Sequence, residues 1–456
     1  MKIVVGGASS VGKSIVGYLS LGDNDIVVVD EDADKLNEIA KEYDVQPVLG
    51  SVSHPDVQES IGMKNMDMLI AVTDNDEINM VACQVAYTLF NVPKKIARVD
   101  SKYFLNPLWN TLYNEKSLPI DLVITPDIEI AEYIADLLNF PGSTAVYPFM
   151  NRKMNIFAFR FKDTDIPFMK FSVQHINLKL AEQSARIVLI LRGNRRLIPH
   201  EDEDLHLQRN DIVYISCFPD RNMEIMRLFG VDHNPFERIV MFGANAISQY
   251  LATLMESTEN GAHCKIIEDN AQKARKLAEV LNRSSVVSGE MMSDVILDEA
   301  GFDSADISIA VTDRDKDNLL ISLLAAKNRD AQAVSLVNSR DYTVLAANIR
   351  NNVIVDRAVI TISGILKYLR KARIEEAYAI GRDLGEIWEI RLGEDSSNIG
   401  KSIAELNIPT ESSVMLILSG DRLIYDFKTY RLTAQDKIVI YVTPTDIRRI
   451  EKIFYL

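Results

Sequence analysis

Residues 6–14 read Gly6-Gly7-Ala8-Ser9-Ser10-Val11-Gly12-Lys13-Ser14, between the apolar stretch KIVV and the amphipathic stretch IVGYL. From Gly7 to Ser14 they fit the phosphate-loop pattern G-x-x-x-x-G-K-[ST], whose amides, lysine and hydroxyl surround a triphosphate. From Gly7 to Gly12 they also fall one residue short of the dinucleotide turn G-x-G-x-x-G, with Ser9 at the middle glycine. Both patterns need a strand before and a helix after, so local context does not separate them.

The rest of the chain does, because it is written twice. Asp67-MLIAVTDNDEIN-Met80 matches Asp306-ISIAVTDRDKDN-Leu319. Before each copy stands a strand-turn-helix-strand unit, KIVVGGASSVGKSIVGYL…DIVVVDEDADKL and RIVMFGANAISQYLATL…CKIIEDNAQKA. After each comes another strand, KKIARVDS or AQAVSLVNS, and a helix. Apolar strands alternating with helical patterns predict an α/β fold with two Rossmann-like parallel-sheet domains.

A second kind of segment also recurs. ARIVLILRGNRRLIPHEDEDLHLQRNDIVYI matches SSVMLILSGDRLIYDFKTYRLTAQDKIVIYV. A Gly-Asn or Gly-Asp turn between short strands signals a hairpin, and a later strand starts after a polar Asn-Asp or Gln-Asp-Lys step. Each large domain is therefore followed by a small α+β domain. The expected plan is a large module over 1–126, a connector over 127–142 and a small module over 143–232, then 233–356, 357–373 and 374–456 in the same order. The connectors, DIEIAEYIADLL and RAVITISGILKYLRK, are apolar at helical spacing. The join of the halves is expected near Val231–Pro235.

The repeat favours the dinucleotide reading. Asp30 ends the second strand 18 residues past Gly12, where a Rossmann unit places a carboxylate on the adenosine ribose hydroxyls. The second copy has Glu268 at that place, but its turn reads Gly243-Ala244-Asn245-Ala246-Ile247-Ser248-Gln249-Tyr250, with nothing equivalent to Lys13 and Ser14. The copies share the strand-end acid and not the lysine-hydroxyl pair. Amides from Gly7 to Gly12 and the dipole of the following helix would form an anion site for a pyrophosphate. A structural turn with no ligand is the alternative, and it stays open above all for the second copy. Thr73 and Asp74 end a strand at the carboxyl edge of the sheet, where open α/β sheets bind ligands. Asp74 or Asp76 could equally cap the next helix. Arg98 is a strand-end cation able to pair with phosphate oxygens. Its counterpart is Leu336.

Three decoys are set aside. Gly400-Lys401-Ser402 lacks the upstream glycine of a phosphate loop and reads as a helix start. GASS is reminiscent of short-chain dehydrogenases, yet no tyrosine is followed by lysine at the spacing those enzymes use. His54 lies in a helix-start loop with no second His or Cys near it, so no metal site is expected.

Composition bounds the rest. The 456 residues suggest roughly two to four domains. Apolar content of 47% and charged content of 25% are ordinary for a soluble protein. A net charge of −15 argues against nucleic acid as a partner and suits either solubility or a basic partner, such as cytoplasmic loops of a membrane protein. Cys83, Cys217 and Cys264 are too scattered for a disulfide framework or zinc, which points to a reducing cytoplasm. No transmembrane segment and no signal peptide are expected.

The arrangement closely resembles the Trk-type potassium uptake regulatory family with tandem RCK (KTN) domains. The residues that carry the resemblance are KIVVGGASSVGKS, Asp30, GSVSHPDV, AVTDNDEINMVACQVAYTLFN, IARVDS and the connector ending Phe140-Pro141-Gly142, with the matching order of the second half. The resemblance implies a non-enzymatic regulatory subunit. Its partner would be a membrane potassium transporter subunit, gated in response to NAD/NADH or to ATP/ADP. It would be a homo-oligomer, a dimer or tetramer ring, cytoplasmic and peripheral on the cytoplasmic face of the inner membrane. The cofactor-binding residues it implies are Gly7, Ala8, Ser9, Ser10, Val11, Gly12, Asp30, Thr73, Asp74 and Arg98 in the first copy. In the second they are Gly243, Ala244, Asn245, Ala246, Ile247, Glu268, Thr312 and Asp313. Ser9 replaces a glycine usual in the family, and Asp100 stands where a second arginine often supports the phosphates. The alternatives from other classes are an NAD(P)-dependent oxidoreductase, for which the small modules offer no convincing acid or base, and an NTPase using Lys13.

Overall fold

The computed structural model describes residues 1–101, 103–161, 171–193, 195–199, 204–231, 236–257, 262–327, 331–370, 373–382, 384–420, 422–425, 427 and 429–454. The expected join of the halves falls largely on 232–235, outside the described residues. The chain forms two compact units. One holds Met1–Glu129, Arg357–Arg370 and Tyr378–Gly385, and the other holds the remainder.

The first unit is built on β1 (Lys2–Gly6), β2 (Asp25–Asp30), β3 (Gln46–Leu49), β4 (Met68–Ala71), β5 (Lys94–Arg98) and β6 (Leu122–Ile124). They form one parallel sheet in the order β3-β2-β1-β4-β5-β6. This is the doubly wound order, which reverses between β1 and β4 and opens a crevice at their carboxyl ends. The central strands are continuous apolar runs because helices cover both faces. Ile3, Val4, Val5, Leu69 and Ile70 are wholly inaccessible to solvent. The helices are α1 (Ser10–Leu19), α2 (Ala33–Glu42), α3 (Pro55–Ser60), α4 (Asp76–Phe90) and the start of α5 (Pro126–Leu138).

The second unit repeats the parallel sheet with β12 (Arg238–Phe242), β13 (His263–Glu268), β14 (Ser285–Ser288), β15 (Ile307–Ala310), β16 (Gln332–Val337) and β17 (Asn352–Asp356), in the order β14-β13-β12-β15-β16-β17. Its helices are α8 (Ala246–Glu256), α9 (Ala271–Ala278), α10 (Asp294–Ala300), α11 (Asp315–Ala325) and α12 (Arg340–Ala346), while α6 (Val173–Leu180), α7 (Asn222–Leu228) and α14 (Ile447–Phe454) accompany the smaller sheets.

Those smaller sheets are mainly antiparallel and share one plan. The first runs β7 (Ala145–Phe149), β8 (Met154–Arg160), β11 (Ile212–Cys217), β9 (Arg186–Arg192), β10 (Arg195–Leu197). The second runs β18 (Ile374–Ala379), β19 (Glu386–Arg391), β22 (Lys437–Val442), β20 (Ser413–Ser419), β21 (Arg422–Ile424). The predicted hairpins start at Gly193 and Gly420, both at φ 59. The predicted polar step is also the same object twice. Asn210 and Gln435 both take φ 71, and the aspartates after them are buried. Each aspartate accepts an amide three residues back at 2.8 Å, from Gln208 and from Thr433. The Gly400-Lys401-Ser402 stretch leads into a single 3-10 turn, Ala404–Leu406, rather than an α-helix.

The connectors go further than the sequence suggests. The second, α13 (Arg357–Leu369), does not stay with the sheet that precedes it but belongs to the first unit. There Lys94 Nζ donates to Tyr368 O at 2.6 Å and Arg370 donates to the Tyr18 hydroxyl at 3.2 Å. The part of α5 beyond Glu129 belongs to the second unit, where Tyr250 OH donates to Glu132 at 3.3 Å.

Both parallel sheets are fastened at their carboxyl edge by a buried asparagine. Asn79 Oδ1 accepts from Thr73 N at 2.9 Å and Thr73 Oγ1 at 2.7 Å, while Nδ2 donates to Thr73 O and Arg98 O at 3.0 Å. Asn318 does the same with Thr312 N (3.0 Å), Thr312 Oγ1 (2.7 Å), Thr312 O (2.9 Å) and Leu336 O (2.9 Å). All the hydrogen-bonding capacity of one amide is used, at zero exposure. The sequence repeat shows the asparagine six residues after the threonine in both copies, but its role needs the fold.

Two outcomes are expected. Asn318→Ala strands buried donors and acceptors, and should cost on the order of 3 kcal/mol of local opening free energy across β15 and β16, read by native-state hydrogen exchange. Glu256 is governed by two opposing effects: burial raises its pKa, but amides of Ser284, Arg283 and Asn282 pull it down to about 2. A depressed carboxylate stabilises the fold above its unfolded value and loses that contribution as pH falls through the folded one. Glu256→Gln should therefore flatten the acid limb of stability between the ordinary value of 4.5 and about 2, measured by thermal unfolding against pH.

Candidate functional site

The crevice of the first unit lies between the turn after β1 and the end of β4. Gly7 takes φ 114, and a β-carbon there would sit 2.8 Å from Thr73 N and the Val72 carbonyl. At Gly12 a β-carbon would meet Gly7 O at 1.8 Å, so only glycine lets α1 settle onto the turn. The turn is then tied to β2. Gly7 N donates to Val29 O at 2.8 Å and Ala8 N to Asp30 Oδ2 at 2.6 Å. Asp30 Oδ1 accepts Asp32 N at 2.8 Å. Asp30 thus stands beside the turn, as its position in the sequence predicts, and holds the turn in place through an amide.

The amino end of α1 is open. Ser9 is its N-cap by position but provides no side-chain cap, and the Ser9 hydroxyl is buried with no hydrogen-bond partner. Val11 points into the core, so its main chain alone faces the turn. Ser10 is exposed. Lys13 leaves the turn and pairs with Glu38 at 2.6 Å and Glu42 at 2.9 Å. Burial opposes its charge, but the two glutamates hold its pKa above the usual value. The Ser14 hydroxyl donates to Ser10 O at 2.7 Å. The lysine and hydroxyl of the phosphate-loop pattern are therefore turned to α2 and to the helix backbone.

Across the crevice, the Thr73 hydroxyl donates to Asn79. Neither Asp74 nor Asp76 caps α4. Asn75 does so, accepting Ile78 N at 2.8 Å. Asp74 instead pairs with Arg98 at 2.9 Å, and Asp76 accepts Asp100 N at 3.0 Å and Ser101 N at 2.9 Å. Both aspartates are taken up by the end of β5 and the residues just after it. Arg98 also grips Asp100 at 2.7 Å. Burial raises the pKa of Asp100, against the pull of Arg98.

The second copy has the same backbone and a different filling. Gly243 takes φ 104, its amide donates to Ile267 O at 2.9 Å, and Ala244 N donates to Glu268 Oε2 at 2.7 Å. Glu268 also accepts Asn270 N at 2.8 Å. Asn245, in place of Ser9, accepts Ser248 N at 3.1 Å and donates to Val311 O at 2.5 Å. Ser248, in place of Gly12, accepts Asn245 N at 3.0 Å and completes a capping box. Ala246 opens α8, Ile247 is buried, Thr312 is occupied by Asn318, and Asp313 is exposed. Leu336, at the Arg98 position, is buried. The second turn thus satisfies itself with its own side chains. The sequence signal was Asn245 itself, a preferred N-cap residue immediately before the helical pattern.

Comparison with known proteins agrees with this construction. The TrkA-N domain family matches residues 3–126 and again 239–360, and the TrkA-C domain family matches 387–455. The Trk system potassium uptake protein TrkA of Azorhizobium caulinodans is 32% identical over 100% of this chain and 98% of that protein. Among solved structures, the GsuK RCK domain aligns with a TM-score of 0.62 at 17% identity, covering 99% of this chain and 94% of that one. The GsuK channel bound to NAD aligns with a TM-score of 0.62 at 16% identity, covering 99% of this chain and 79% of that one. These structural likenesses are of fold. With two TrkA-N regions, a TrkA-C region and full-length similarity to named relatives, the chain belongs to the TrkA family of Trk system potassium uptake proteins.

Proposed function

We propose that this chain is a nucleotide-sensing regulatory subunit, and that its first crevice holds NAD(H) or a related adenine nucleotide. The contrast between the two turns carries the reading. α8 is closed by its own capping box, whereas α1 presents an uncapped amino end with a buried, unpartnered Ser9 hydroxyl beside the Asp30 carboxylate. An uncapped helix start attracts an anion through its free N–H groups and dipole. In this reading the pyrophosphate rests on Gly7–Gly12, Ser9 gains a partner, and the remaining lone pairs of Asp30 receive the adenosine ribose hydroxyls. Arg98 faces phosphate, while Asp74 and Asp100 offset its charge and favour a dinucleotide over the more highly charged ATP. The second turn, closed by Asn245 and Ser248, stays empty.

The role follows from the family and from α13. A ligand shifts a conformational equilibrium only by binding two states differently, and such couplings are typically about 1–3 kcal/mol. A helix drawn from the second half and lodged on the nucleotide-binding unit supplies a path for that difference. The partner is a membrane potassium transporter subunit, engaged from the cytoplasm by a ring of copies of this chain. The described residues contain no helix long and apolar enough to cross a membrane. No hydride-transfer or hydrolytic activity is assigned, since Lys13 is held by Glu38 and Glu42 and Asp30 is engaged by the amides of Ala8 and Asp32.

Calorimetric titration with NAD, NADH, ATP and ADP should give one site per chain. Two equivalent sites, or none, would reject the reading. Asp30→Ala should weaken NADH binding about tenfold or more, because it removes a charge-assisted acceptor and unties the turn. Lys13→Ala should leave affinity within roughly twofold, since only a surface ion pair is lost.

A further inference from the structure

The first unit carries a second arginine at the carboxyl edge of its sheet, and it comes from the far half of the sequence. Arg357 opens α13 and donates to Asp127 Oδ1 at 2.5 Å, the two side chains being 12% and 23% exposed. Asp127 lies in the first turn of α5, just beyond β6. In that strand Ile124 is the register partner of Arg98, and Val99 N donates to Ile124 O at 3.1 Å. The Asp127–Arg357 pair therefore stands on the same sheet edge as Asp74–Arg98–Asp100. Its charge is felt there: burial opposes the charge on Arg98, but Asp100, Asp74 and Asp127 together keep its pKa high. The helix α13 is fixed on the unit by Lys94 and Arg370.

A diphosphate entering this crevice meets Arg98 already shared between two carboxylates. It needs a further cation, and Asp100 cannot supply one. Arginine can pair with phosphate through two parallel N–H donors, so exchanging a carboxylate for a phosphate keeps its geometry. Resting on the nucleotide reading above, we propose that Arg357 is a second phosphate-binding residue of the first crevice. It releases Asp127 to take a phosphate oxygen, so that the start of the second connector registers whether the site is filled.

The test is titration of the full chain with NADH and with ADP, using Arg357→Ala, Arg357→Lys and Asp127→Asn. Arg357→Ala should weaken binding about tenfold, the loss of one charge-assisted pair. Arg357→Lys should recover part of that loss. Asp127→Asn should tighten binding several-fold, because it releases Arg357 from its competing carboxylate. A pair that only braces α5 against α13 would make both the alanine and the asparagine variants bind more weakly, or leave both unchanged, and either result overturns the inference. Should Arg357→Ala fail to fold, the sign of the Asp127→Asn effect decides alone. Absence of nucleotide binding by the unaltered chain would overturn the underlying reading, whereas normal binding with an unaffected Arg357→Ala would overturn this inference only.

Discussion

The hydrogen bond from Ala8 N to Asp30 is the constraint on which the first crevice depends, and its copy from Ala244 N to Glu268 does the same in the second. A turn that needs φ 114 at Gly7 has few stabilising contacts of its own. Anchoring its amide to a carboxylate on the neighbouring strand fixes the turn against β2 at the point where strand order reverses. The carboxylate can do this with one lone pair and still present others outward. The same group therefore builds the turn and supplies the acceptor proposed for a ribose.

Given equal anchoring, the two crevices diverge through three substitutions. Ser9 becomes Asn245, Gly12 becomes Ser248, and Arg98 becomes Leu336. The first two install a capping box that satisfies the helix from within. The third replaces a strand-end cation with a core side chain. What persists in both copies is the set that builds the turn and the sheet edge: the strand-end acid, the glycine of the turn, and the buried asparagine at positions 79 and 318. That pattern suits the proposal that the first copy alone holds a nucleotide.

Much of the fold was legible because its signals are local and repeated. Apolar runs such as Ile3-Val4-Val5 and Leu69-Ile70 read as strands buried on both faces, and they are. Gly193 and Gly420 start their hairpins in the left-handed backbone that glycine permits, and Asn210 takes the same region at its polar step. The site was only partly legible. Asp74 and Asp76 each fit a helix cap by spacing, but Asn75 is the residue immediately before α4, Asp74 falls one position too early and Asp76 is already in the helix, which leaves both to bind β5 and the loop after it.

The duplicated α/β plan and the strand-end acids are local properties, because period, turn chemistry and repetition are written along the chain. The sequence also set Lys13 aside, since the second copy lacks it. The folded contacts alone settle that Lys13 is spent on Glu38 and Glu42, that Asn245 reaches Val311, and that α13 brings Arg357 to Asp127. Those outcomes rest on contacts between residues up to 230 positions apart, for which local pattern holds no information.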